Sequence, residues 1–185
     1  MKATLNQIVV EARELFRERG YAGASMQDLA DRVGLKKASL YTRFASKEAL
    51  VGPVLALTLE ETFDSVEKGS VDWLTSYEAV LKRIAAALTD RVRCVGLHLA
   101  YGVGEDAPDA LEAVRNYFAA LRDGLAVVLK QKLGAKVATT VATDALVRLE
   151  GATLWIVIDE DTQPMQRALK ALITEARVLK ATSDR

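Results

Sequence analysis

Apolar residues return at intervals of three and four along most of the chain, the spacing of one face of an α-helix. Ile8, Ala12, Leu15 and Phe16 begin the pattern and predict a first helix from about Leu5 to Arg19. Gly20 should end it, with Arg17 and Arg19 in the last turn, where cations suit the helix dipole. Met26, Leu29, Ala30 and Val33 form the stripe of a second helix. Ser25 is its N-cap, Asp28 stands where a capping box needs it, and Gly34 stops it. A short third helix is expected from about Lys36 to Phe44. A fourth is capped by Ser46 and closed by Gly69-Ser70. Pro53 inside this fourth helix removes a backbone donor and clashes with the preceding turn. It predicts a kink near Gly52-Pro53, or a helix that effectively starts there.

Further helices are expected at about 72–89, 91–103, 108–133, 136–159 and 163–181, nine in all. Pro108 suits a first turn. Leu111, Val114, Phe118, Leu121, Leu125 and Val128 alternate by three and four as a bundle seam. Ala138, Ala142, Ala145, Leu149 and Ala152 make a small-residue stripe. Met165, Leu169, Leu172, Ala176 and Leu179 make the last one. The fold class is all-α.

Composition agrees: 50% of the residues are hydrophobic, 27% are charged, and only three are proline. Net charge is zero, but residues 1–50 carry nine Lys/Arg against six Asp/Glu, and the remainder sixteen against nineteen. A basic end on an acidic body hints at nucleic acid. A single cysteine, Cys94, excludes an intrachain disulfide and points to a reducing compartment. The first residues do not read as a signal core, and no apolar run approaches the ~20 residues that span a bilayer. The expectation is a cytoplasmic chain without a membrane segment.

The second and third helices meet at Arg32-Val33-Gly34-Leu35-Lys36, with glycine in the turn. That is the helix-turn-helix layout, whose second helix enters the major groove of DNA. On this third helix Leu40 and Phe44 face inward. Lys36, Ser39 and Arg43 share an outward stripe flanked by Lys37 and Thr42, offering donors to base edges and cations to phosphates. Arg43 has the fork that guanine accepts, and the Tyr41 hydroxyl suits a phosphate. Ser25 and Lys47 lie at helix N-termini, which favour anions. The bland alternative is a helical hairpin whose lysines are merely solvated. Each lysine alone is weak evidence; the combination is stronger.

The stretch from Ile8 to Val51 resembles the DNA-binding domain of the TetR (AcrR-type) regulators along its whole length. The features that carry the resemblance are Ala12…Leu15-Phe16, Arg19-Gly20-Tyr21, Leu29-Ala30…Gly34-Leu35, Ser39-Leu40-Tyr41…Phe44 and Ser46-Lys47-Glu48-Ala49-Leu50. The resemblance implies a helix-turn-helix head over 1–46 and a helical ligand-binding and dimerisation domain over 47–185. It implies a homodimer formed through the helices at about 136–159 and 163–181, bound to a palindromic operator. It further implies a repressor released by a small, largely apolar effector. Lys36, Lys37, Ser39, Thr42 and Arg43 are then the groove-facing positions, and Ser25, Tyr41 and Lys47 the phosphate contacts. Arg43 stands where many members have His, and Pro53 interrupts a helix that is usually smooth.

From the helices that enclose the family's cavity, Trp73, Tyr77, Cys94, His98, Tyr101, Tyr117, Phe118 and Trp155 are candidate pocket residues; plain core is the alternative for any one of them. Cys94 and His98, four apart on a predicted helix, would be half a metal site. Zinc needs three or four ligands, and the chain has no other Cys or His, so neither metal nor cofactor is expected. Cys94 is either an inert buried thiol or a reactive one activated by Arg91 and Arg93. Glu150 interrupts an apolar helix and meets a cation, an arginine or water. The run Leu154 to Ile158 is apolar all round and must be covered on every side, which favours a dimer independently of the resemblance.

Two other functions compete. One is a DNA-bound protein-interaction factor without a small-molecule ligand, which would have a cavity-free body. The other is a small all-α enzyme, for which no nucleophile–base pair, metal set or phosphate loop is visible.

Overall fold

A computed structural model describes residues 3–64, 72–90 and 93–183. Among these residues the chain forms nine α-helices and no strand. They are α1 (Leu5–Gly23), α2 (Met26–Arg32), α3 (Lys37–Tyr41), α4 (Val51–Phe63), α5 (Trp73–Asp90), α6 (Val95–Gly102), α7 (Pro108–Leu129), α8 (Ala135–Asp159) and α9 (Gln163–Ser183); a single 3-10 turn, Glu48–Leu50, leads into α4. The all-α expectation is met. The expected closing pair Gly69-Ser70 lies outside the described residues, as does Arg91.

The chain divides into two compact units. Met1–Glu61 with Val95–Phe118 make the first, and Thr62–Cys94 with Ala119–Arg185 the second. The first unit therefore runs on past residue 46 and takes in α6 and the first half of α7.

In the first unit, local chemistry sets the ends of the elements. Thr4 and Gln7 close a capping box at the start of α1, and Ser25 and Asp28 close another on α2. Gly20 sits at φ 68°, ψ 178°, so the regular part of α1 breaks at the glycine expected to end it. Gly34 has φ 64°. Its N–H reaches Asp31 O, and Leu35 N–H reaches Ala30 O. This pair of bonds needs a left-handed residue between them, which glycine supplies without strain. Pro53 falls in the first turn of α4, because the helix starts at Val51 behind the 3-10 turn. Its missing donor would have no partner there in any case. Ile8, Leu15, Phe16, Leu29, Leu40 and Leu99 are almost fully buried in this unit.

In the second unit the predicted α8 stripe is the core. Ala138, Ala142, Ala145 and Leu149 are 0% exposed, and Met165, Leu172 and Ala176 of α9 are buried as well. Several spans differ from expectation, and α7 ends at Leu129, short of the expected 133. α3 ends at Tyr41, although Thr42 N–H still bonds to Ala38 O and Phe44 N–H to Leu40 O. α6 begins at Val95, so Cys94 directly precedes the helix that carries His98.

Candidate nucleic-acid interface and candidate pocket residues

α3 buries Leu40 and leaves Lys36, Lys37, Ser39 and Thr42 exposed. The Thr42 hydroxyl donates to Ser39 O at 2.8 Å, which orients both residues at the end of the helix. Tyr41 is also exposed. Leu40, at the centre of the helix, anchors this polar face to the core made with α1 and α2.

The other predicted contacts are engaged elsewhere. Arg43 is half-buried, and its Nη1 donates to Ala3 O at 2.5 Å. Ser25 caps α2, accepting from Asp28 N–H at 3.1 Å and donating to the Asp28 carboxylate. Lys47 points inward. Its Nζ donates to Tyr21 O at 2.6 Å and Ala24 O at 3.1 Å, and lies 4.2 Å from the centre of the Tyr21 ring. Burial pushes the Lys47 pKa down, with Asp106 pulling the other way. The same burial raises the Tyr21 phenol.

These carbonyls are accessible because the break at Gly20 ends the helical ladder early. The glycine that breaks α1 is the only signal the sequence offers for this arrangement. Nothing in the sequence announces Glu48. Its carboxylate accepts from Asp109 N–H at 2.9 Å and Ala110 N–H at 3.2 Å, capping α7 from 61 residues away. A carboxylate on a helix N-terminus opposes the dipole favourably. α6 packs on α1 in the same unit. A side chain at Gly20 would meet the His98 imidazole at 3.4 Å. Arg13, 2% exposed, ties α1 to α4 by donating to Glu61 at 2.6 Å.

This arrangement is similar to that of known proteins. The sequence model described as "Bacterial regulatory proteins, tetR family" matches residues 8–54. The fold of the whole chain is similar to a TetR transcriptional regulator from Legionella pneumophila, with a TM-score of 0.80 at 17% identity over 94% of this chain and 97% of that one. Residues 8–54 thus match the TetR-family DNA-binding model, and the chain as a whole has the fold of TetR-family structures. A TetR-family regulator from Agrobacterium tumefaciens is similar at 23% identity, with a TM-score of 0.77 over 92% and 95% of the two chains. A single-substitution variant of TetR from Acinetobacter baumannii, in complex with minocycline, superposes at a TM-score of 0.62 and 19% identity over 98% and 99%.

Among curated family members, the activator FasR of Mycolicibacterium smegmatis is 37% identical over 62 residues, 34% of this chain and 28% of FasR. The biofilm-operon negative regulator IcaR of Staphylococcus aureus is 44% identical over 45 residues, 24% of each chain. The chain thus spans about a quarter of the length of the curated relatives it matches.

The eight candidate pocket residues fall in both units. Trp73, Tyr77, Cys94 and Trp155 lie in the second, and His98, Tyr101, Tyr117 and Phe118 in the first. Tyr101 is 85% exposed and Trp155 47%, which does not suit the wall of an enclosed cavity. Trp73 and Tyr117 are buried, and Tyr117 packs edge-on against Phe118 where Gly96 leaves room for its ring. Tyr77 lines a cleft of about 80 Å³ within the second unit. Glu150 turns inward: burial raises its pKa, the Cys94 thiol donates to its carboxyl, and its Oε2 is enclosed without a partner. Among the described residues, no three His, Cys, Asp or Glu side chains group as metal ligands, and no helix is long and apolar enough to cross a membrane.

Proposed function

We propose that this chain is a dimeric, sequence-specific DNA-binding transcriptional regulator that inserts α3 into the major groove. The observation that carries the reading is the α3 face. Lys36, Lys37, Ser39 and Thr42 are exposed together on a helix anchored by one buried leucine. The lysines neutralise phosphates, and the hydroxyls and any freed guanidinium address base edges. Tyr41 adds a phosphate contact, and Ser25 presents its hydroxyl where α2 begins. Arg43 reaches a guanine by exchanging the Ala3 carbonyl for it. Lys47 serves differently: it fastens the end of α1 to the segment before α4 and so holds the head together.

The dimer forms through α8 and α9. Val147, Leu154, Trp155 and Ile158 are roughly half exposed or more and recur at intervals of seven, one and three along α8, with Gly151 between them; Val178 is exposed on α9. An apolar face of this size on a helix whose other side is core calls for a second surface. A two-fold related pair of α3 helices requires a palindrome with half-sites about one helical turn apart, ~34–36 Å. The regulator works in the cytoplasm, as a repressor released by a small effector. The minocycline-bound neighbour supports a small molecule as the signal. FasR and IcaR, an activator and a negative regulator, lie on opposite sides of the choice of sign.

Selection of bound duplexes from a random pool at moderate salt tests the reading. Enrichment of one palindrome is the expected result. A folded, dimeric protein that enriches no sequence overturns it.

A further inference from the structure

The second unit holds a cleft of about 80 Å³ between α5, the end of α7, α8 and α9. Leu129 and Leu172 form its apolar walls, and Asp144, Arg148 and Glu175 its rim. Tyr77 lines it as well. This tyrosine is 1% exposed, yet its hydroxyl has no hydrogen-bond partner. A buried hydroxyl left unpaired is costly, and a bound group that pairs with it relieves that cost. The rim is unbalanced. Arg148 Nη1 donates to Glu175 at 2.6 Å, so one carboxylate and the guanidinium answer each other. Asp144, one turn before Arg148 on α8, adds a second carboxylate and leaves the rim with a surplus negative charge.

We propose that this cleft binds a short-chain aliphatic amine in its ammonium form. The ammonium donates to the Tyr77 oxygen and to the rim carboxylates, and the alkyl chain lies on Leu129 and Leu172. The space suits a fragment of about five non-hydrogen atoms. A carboxylate of the same size meets the surplus negative charge, and an alcohol satisfies Tyr77 but leaves that charge unanswered. The site stands on the second unit alone and does not depend on the DNA-binding reading.

The test is a titration of the isotope-labelled full chain with n-butylammonium, 1-butanol and butyrate at neutral pH, followed by backbone amide shifts. The expected result is saturable shifts confined to the cleft, around residues 77 and 129 and in segments 141–148 and 172–179, for n-butylammonium, with affinity at least about tenfold above that for butanol. Butyrate should give none. Asp144→Asn, at the exposed rim, and Tyr77→Phe, which keeps the ring, should each weaken butylammonium binding by about threefold or more. Equal binding of butyrate, shifts scattered outside the cleft, unchanged affinity in both variants, or no saturable shift with butylammonium each overturns the proposal.

Discussion

The two units leave opposite chemistry unanswered. In the first, the unmatched groups are polar and outside: the lysines and hydroxyls of α3 stand in solvent while Lys47, Arg13 and Glu48 are bound to partners inside the unit. In the second, the unmatched surface is apolar and outside, along α8, and unpaired polar atoms sit inside, on Tyr77 and Glu150. A free cationic face looks for phosphate, and a free apolar face looks for protein. The comparison separates lysines that bind something else from lysines that hold the molecule itself together, a distinction charge counting cannot make.

The largest effect is expected where the apolar face is broken. Trp155→Arg together with Ile158→Asp should convert the protein to a monomer in sedimentation. Loss of the second head should lower affinity for a palindrome by about 10²–10⁴-fold, the usual gain from linked sites. A monomer that keeps full affinity would separate α8 from the dimer.

Next comes Tyr77. Burial pushes its phenol up from 10 to about 12, with Glu175 adding to the rise and Arg148 opposing it. The unfolded chain releases this proton near pH 10 while the folded chain keeps it, so stability falls as pH rises between about 10 and 12. The loss is about 2–3 kcal/mol. Chemical denaturation across that range should show the slope in the wild type and lose this part of it in Tyr77→Phe.

The lysines test the comparison itself. Lys47→Ala should cost about 1–2 kcal/mol of stability, since charge-assisted bonds to two carbonyls are lost. Its affinity for DNA should change only as far as the head loosens, and its salt dependence should not change. Lys36→Ala or Lys37→Ala should leave stability within about 0.5 kcal/mol and reduce the salt slope by about one each.

The smallest effect belongs to Glu150. Its raised pKa means that the folded state resists ionisation, so its penalty is absent below the unfolded value and grows as pH rises through the folded one. Glu150→Gln should therefore stabilise the protein at pH 8 by up to about 1 kcal/mol and do nothing near pH 4. Equal effects at both values would show that the carboxyl is not held back.

Much of the fold could be read from the sequence because its determinants are local. Ser25, Asp28, Gly20, Gly34 and Pro53 act within a turn or two of themselves, and the alanine stripe of α8 repeats often enough to reveal its buried side. The course of Lys47 could not be read that way. Its acceptors are carbonyls freed by a break 27 residues earlier, and only the folded packing brings them within reach. Glu48 on the start of α7 is hidden for the same reason. Glu150 was visible as an interruption, but its inward turn depends on neighbours from other helices. The aromatic residues were the least informative, since spacing does not distinguish the buried Tyr77 from the exposed Tyr101.

The measurement that bears most directly on the exposed α3 face is the salt dependence of binding to the selected duplex. Wild type, Lys36→Ala/Lys37→Ala and Lys47→Ala would be followed by fluorescence anisotropy from low to moderate salt. The account predicts a slope of log K against log[salt] shallower by about two for the double variant and unchanged for Lys47→Ala. A double variant with the wild-type slope, or a Lys47→Ala slope reduced instead, would contradict it.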